Sequence, residues 1–87
     1  VSSLEAKGYA ARHVPADVTS RGSLERAFAE VERCDVLVTS AGAMSQKPFG
    51  RITDEEFRRL VDTNLFGVLA ACQLAASRMS RGGRIIN

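Results

Sequence analysis

An asparagine lies on the apolar side of the longest helical pattern in this sequence. Asn64 comes three residues after Val61 and four before Val68, within a run of apolar residues at helical spacing. Residues three and four apart share one face of a helix, so the Asn64 amide points toward the predicted core. A buried amide without hydrogen-bond partners would cost about 1–3 kcal/mol. Asn64 is therefore a candidate functional residue.

Three explanations of Asn64 stay open at the level of residue spacing. Its side chain can satisfy the backbone of a neighbouring strand, which is a structural role. It can lie at the border of the apolar face, in water. It can also mark a place where the helix is opened and its polar groups serve a site. Gly67, three residues on, weakens the same turn and allows close approach.

Two other stretches place polar or small residues where a predicted strand ends. Asp17 and Val18 follow the strand-like residues 9–16, and Thr-Ser-Ala-Gly at 39–42 follows the strand-like residues 35–38. In doubly wound sheets, ligands bind outside the carboxyl ends of the strands, so both stretches are candidates for binding. The alternatives are that Asp17 helps to cap the next helix and that 39–42 is an ordinary turn.

The elements that would position these residues alternate as helix, strand, helix, strand, helix, strand. Alternation of this kind predicts an α/β fold with a parallel sheet covered by helices. The run at 35–38 is continuous and apolar, which favours a strand buried on both faces. The predicted elements are a helix at 1–7, a strand at 9–16, a helix from Thr19 or Ser20 to about Glu32, a strand at 35–38, a helix from Thr53 to the glycines at 82–83, and a strand from Arg84.

Local signals support the ends of these helices. Gly8 supplies the left-handed residue that commonly follows a helix, and Thr53 with Glu56 three residues later forms a capping-box pattern. The long helix carries a predicted apolar seam, made of Phe57, Leu60, Val61, Leu65, Val68, Leu69, Cys72, Ala76 and Met79.

Composition excludes several classes of function. The net charge of +2 is scattered, without a basic stripe and interleaved aromatics, so nucleic acid is not an expected partner. Every apolar run is much shorter than the roughly 18 residues that a membrane-spanning helix needs. The only histidine, His13, has no cysteine or glutamate partner at metal-ligand spacing. Cys34 and Cys72 read as two reduced thiols, which indicates a cytoplasmic protein without a metal site.

Four stretches together resemble the short-chain dehydrogenase/reductase family, in its order and spacing. They are ADV at 16–18, VTSAG at 38–42, DTNLFGV at 62–68 and GGRIIN at 82–87. The resemblance is to classical members such as ketoacyl reductases and sugar or steroid dehydrogenases. It implies a partial Rossmann-like doubly wound parallel sheet, with strands 3, 4 and the start of 5 and with the end of helix 2 and helices 3 and 4. Residues 1–87 would then be an internal fragment of a single NAD(P)-binding domain.

The resemblance also implies roles for the candidate residues. The Asp17 carboxylate would accept a hydrogen bond from the adenine amino group, and the Val18 backbone would contact the ring. Asn64 matches the family's catalytic asparagine, whose main-chain carbonyl holds a water in a proton relay. The nicotinamide ribose would be lined by Thr39, Ser40, Ala41 and Gly42, although Thr39 and Ser40 stand where the family has two asparagines.

The implied reaction is hydride transfer between NAD or NADP and a small-molecule carbonyl or alcohol. In the family, a tyrosine followed four residues later by a lysine, plus a serine, supplies acid–base help. The only tyrosine, Tyr9, has no lysine at that spacing. We therefore expect the 87 residues to be inactive alone and to belong to a longer homo-oligomeric enzyme, a dimer or tetramer. The face that would pack on a second subunit consists of Ala70, Ala71, Leu74 and Ala75.

Two other interpretations of the sequence remain open. One is a fragment of an extended-type reductase, such as a nucleotide-sugar epimerase or dehydratase. The other is not an enzyme but a truncated α/β fragment that binds a partner through its exposed sheet edges.

Overall fold

The computed structural model describes residues 2–87 and contains a two-stranded parallel sheet with helices packed beside it. Val1, which belongs to the helix predicted at 1–7, lies outside the described residues. The helices are α1 (Ser2–Ala6), α2 (Arg21–Phe28), α3 (Asp54–Val61) and α4 (Gly67–Ala76), the strands are β1 (Val36–Val38) and β2 (Arg84–Ile86), a 3-10 turn covers Phe49–Arg51, and a π turn covers Asp62–Phe66.

Helix ends follow the signals in the sequence. Gly8 has a φ of 89°, and the Tyr9 N–H donates to the Leu4 carbonyl, as expected for a left-handed residue that closes a helix. Ser20 caps α2 by accepting from the Ser23 N–H, which decides between the two predicted caps. The helix then ends at Phe28, before the predicted Glu32, because its last turn tightens into bonds between residues three apart.

The two strands pair in parallel, with Val36 opposite Arg84 and Val38 opposite Ile86. The prediction of a strand at 9–16 is wrong, because this segment has no strand partner among residues 2–87. Burial of β1 on both faces is also wrong. Val36 and Val38 are 53% and 61% exposed, because no second layer of described residues covers their face.

Small residues form the contact between α2 and α4. Leu24 of α2 and Ala70, Ala71 and Ala75 of α4 are the buried apolar residues of the described chain. This corrects the prediction that the alanine face of α4 lies outward for a second subunit. Alanines let two helix axes approach closely, so the helices meet there and not along the larger side chains.

Three large residues of the predicted seam face outward, and its other large residues are half-buried. Phe57, Leu65 and Leu69 are 61%, 67% and 53% exposed. The seam also ends sooner than predicted, since α4 stops at Ala76 and the Ser77 hydroxyl donates to a carbonyl of its last turn. No helix within residues 2–87 has the length and apolar character that crossing a membrane requires.

Candidate functional site

A π turn interrupts the long helix where the sequence places Asn64. It covers Asp62–Phe66, and the Gly67 N–H donates to the Asp62 carbonyl five residues earlier. Such a turn is wider than an α-helical turn, and π turns inside α-helices are frequent at functional sites. The helix is therefore opened at Asn64, as the third explanation of this residue requires.

The Asn64 amide is exposed, contrary to the expected orientation toward the core, and it pairs with the loop that follows β1. Its Nδ2 donates to the Ala43 carbonyl at 2.8 Å, and its Oδ1 accepts from the Ala43 N–H at 2.9 Å. The amide thus pairs with both the N–H and the carbonyl of one residue, as a neighbouring strand would. The structural explanation and the opened-helix explanation hold together, because the same residue satisfies the loop and lies in the π turn.

Gly42 allows this pairing. A Cβ added to Gly42 would lie 3.3 Å from the Asn64 Oδ1, which is tighter than ordinary van der Waals contact. Ala43 was not among the residues predicted for the site. Its only signal in the sequence is its place directly after the Gly42 of the VTSAG stretch, because backbone pairing does not depend on side-chain type.

The strand ends carry a second polar pair. The Thr39 hydroxyl donates to the Asn87 Oδ1 at 2.7 Å, and the Thr39 N–H donates to the Ile86 carbonyl. Both residues follow the last paired residues of their parallel strands, so their side chains meet at the same edge of the sheet. Asn87 was not predicted as part of the site.

Asp17 holds the turn that leads into α2. Its Oδ1 accepts from the Thr19 hydroxyl at 2.6 Å and from the Thr19 N–H at 2.9 Å. These two bonds lower the pKa of Asp17 below its ordinary value of 3.8, so the carboxylate is ionised at neutral pH. The N-cap itself is Ser20, and Asp17 therefore supports the approach to the helix without capping it.

A cavity of about 250 Å³ joins most of the predicted binding residues. Val18, Thr39, Ser40 and Ala41 line it, whereas Asp17, Gly42 and Asn64 do not. Gly67 also lines the cavity and would touch Val18 if it carried a Cβ. The remaining lining residues are Leu24, Phe28, Leu37, Val38, Thr63, Val68 and Ala71.

Contacts therefore connect all three predicted stretches. Val18 lies against Gly67, Gly67 closes the π turn, and the π turn holds Ala43 through Asn64. Among residues 2–87, no three histidine, cysteine, aspartate or glutamate side chains gather into a group that could hold a metal ion. The chemistry available is hydrogen bonding from backbone, amide, hydroxyl and carboxylate groups.

Residues 1–87 match the family model for short chain dehydrogenases, and the chain belongs to that family. The family resemblance drawn from the four stretches is confirmed. Solved structures with the same Rossmann arrangement support the α/β class, of which this chain contains a small parallel sheet with helices.

Two similar proteins of known sequence are oxidoreductases. An uncharacterized oxidoreductase from Methylorubrum extorquens is 38% identical over 91 residues, covering 100% of this chain and 37% of its own length. The 3-oxoacyl-[acyl-carrier-protein] reductase MabA of Mycobacterium avium is 39% identical over 79 residues, covering 84% of this chain and 31% of its own length. The chain thus spans about a third of the length of these relatives.

Two similar solved structures hold a nicotinamide cofactor. A short chain dehydrogenase from Burkholderia cenocepacia in complex with NADP has a TM-score of 0.89 at 28% identity, covering 98% of this chain and 36% of the other. A blue fluorescent protein from a metagenomic library in complex with NADPH has a TM-score of 0.83 at 37% identity, covering 100% of this chain and 37% of the other.

Proposed function

We propose that this chain forms part of the cofactor site of an NAD- or NADP-dependent oxidoreductase. The enzyme would transfer hydride between the nicotinamide and a small-molecule carbonyl or alcohol. The observation that carries the proposal is the pair of hydrogen bonds between Asn64 and Ala43. It brings a widened helical turn against the loop at a strand's carboxyl end, where doubly wound sheets bind ligands.

The residues present fit one part of a dinucleotide. Gly42 and Ala41 expose backbone beside the Asn64 turn, and the Asp17 Oδ2 makes no hydrogen bond within residues 2–87, so it is available to an adenine amino group. The cavity of about 250 Å³ is smaller than the roughly 300–1,000 Å³ of a typical complete ligand site. These residues therefore supply only a share of the binding surface.

When bound, the nicotinamide supplies the hydride, and the protein supplies position and proton transfer. In this proposal, Val18 contacts the adenine ring through its backbone, and the backbone of Thr39, Ser40, Ala41 and Gly42 lies along the nicotinamide ribose. The Asn64 main-chain carbonyl, in the widened turn, holds an ordered water that passes protons toward the reacting group.

The finer assignments of the fold are also proposals. We assign β1 and β2 to strands 4 and 5 of a doubly wound sheet, and residues 1–87 to the interior of one NAD(P)-binding domain. The coverage of about a third of each relative supports the part of this assignment in which the 87 residues belong to a larger domain. Both cysteines are free, as a reducing cytoplasm would leave them. We also propose that the complete enzyme is a homo-oligomer.

A cofactor titration of the complete gene product tests the proposal. NADH and NADPH fluorescence should report saturable binding of at least one cofactor. Asp17→Asn should weaken that binding about 10- to 150-fold, since a charge-assisted hydrogen bond contributes about 1.5–3 kcal/mol. Asp54→Asn, a matched change in the first turn of α3, should leave binding unchanged. Absence of binding by the unaltered protein would refute the function, and equal effects of both variants would refute the role of Asp17.

A further inference from the structure

Gly67 is the point at which the π turn touches the segment that ends at Val18. It is a buried residue, the first of α4, and its N–H makes the five-residue bond that closes the turn. A Cβ added there would lie 3.1 Å from each of three atoms of Val18, which are Cβ, Cγ2 and the carbonyl oxygen. Real Cβ contacts are rarely this short, so the backbones meet here only because residue 67 has no side chain.

We infer that Gly67 is a positioning residue that fixes the distance between the Val18 segment and the Asn64 turn. This inference rests on the proposed function, since it assigns the adenine side of the cofactor to Asp17 and Val18. One of the three close atoms is a main-chain oxygen, which cannot turn away as a flexible side chain could. An added methyl must therefore shift the backbone at Val18 or the start of α4.

The contact also explains why a glycine stands within a helix. Alanine is the better helix former, so Gly67→Ala should strengthen the helix if nothing lay against it. Val18 and Gly67 both line the same cavity, so a shift of either backbone changes the spacing across it. The adenine side would then move relative to the nicotinamide side.

The test is Gly67→Ala in the complete gene product, with Gly50→Ala as the matched control. A Cβ at Gly50 meets nothing within 4 Å. We expect Gly67→Ala to raise the dissociation constant and KM for the cofactor about five- to tenfold. The KM for the carbonyl substrate should stay close to that of the control.

A double-mutant cycle with Val18→Ala separates positioning from general damage. Val18→Ala removes one of the three close atoms, Cγ2, so the double variant should lose less cofactor affinity than the product of the two single losses. Multiplicative losses would overturn the inference, as would unchanged cofactor affinity in Gly67→Ala while the unaltered protein binds cofactor. Failure of the unaltered protein to bind NADH or NADPH would instead refute the proposed function.

Discussion

Asn64 has two separable tasks, one for its side chain and one for its backbone. The side chain satisfies both polar groups of Ala43, and the backbone forms part of the widened turn. Loss of the side chain removes the link between the turn and the loop. A turn no longer held by the loop would present its carbonyl groups in altered positions.

We predict that Asn64→Ala reduces turnover more than cofactor affinity. In the proposed proton relay the carbonyl would no longer be fixed, and kcat should fall about 100-fold, the lower part of the range for positioned proton transfer. Steady-state kinetics and fluorescence titration of the complete enzyme measure the two effects. Gln46→Ala is the matched control, since the one hydrogen bond that this exposed amide makes within residues 2–87 goes to the Met44 sulfur. Equal loss of turnover and affinity, or no loss, would contradict a relay role.

At the scale of elements, the start of α3 is attached to the loop before it. The Thr53 hydroxyl accepts from the Glu56 N–H, which is one half of the predicted capping box. The second bond of a capping box would run from the Thr53 N–H to the Glu56 carboxylate. Here this carboxylate instead accepts hydrogen bonds from Lys47 and Ser45. The Lys47 ammonium, through its hydrogen bond, is the main cause of a Glu56 pKa below the ordinary 4.5.

We predict that this attachment weakens in acid. A carboxyl group whose pKa is lowered by folding stabilises the protein above its unfolded pKa and loses that contribution as the pH falls through the folded pKa. The unaltered protein should therefore lose melting temperature relative to Glu56→Gln as the pH drops below about 4.5. Thermal melts between pH 3 and 7 measure the difference. Parallel curves for the two proteins would show that the ion pair contributes nothing.

At the scale of the whole chain, more large apolar side chains of the described residues are exposed than are buried. Leu24 and three alanines are buried, whereas Phe49, Met44, Leu65 and other large side chains are mostly exposed. A chain of 87 residues buries only about 60–65% of its unfolded surface even when it is compact. The described residues therefore lack the core that would make them stable by themselves.

We predict that the isolated 87 residues bind a hydrophobic dye and transfer no hydride. Exposed apolar patches bind such dyes, and the fluorescence of anilinonaphthalene sulfonate should rise strongly on addition of the peptide. The complete gene product, at equal molar concentration, is the control and should bind less dye. Oxidation of NADH by the purified 87-residue chain, with any carbonyl substrate, would contradict the prediction.

Local signals predicted the helices better than the strands. Caps at Ser20 and Thr53 and the left-handed Gly8 depend on neighbours within a few residues, so the sequence indicated them. Strand formation at 9–16 and burial of β1 depend on partners far from these residues in the sequence, which local signals do not determine. The alanine contact between α2 and α4 was missed because the pattern favoured larger residues for the core.

In the candidate site, too, local features could be predicted better than contacts between distant residues. The position of Asn64 in an opened turn was one of three explanations that residue spacing left open, and the family resemblance favoured it. Its partner could not be predicted, because Ala43 is recognised only through its backbone. The pair of Thr39 and Asn87 depends on the register of two parallel strands 48 positions apart, and local patterns do not determine such a register.

The bond from Gly67 to Asp62 spans five residues where an α-helix would span four. The segment between them is therefore one residue longer than the same part of an uninterrupted helix. Among relatives, a helix of the ordinary kind at this place should align with a gap of a single residue. Gain or loss of one amino acid would then separate lineages that possess this opening from lineages that do not.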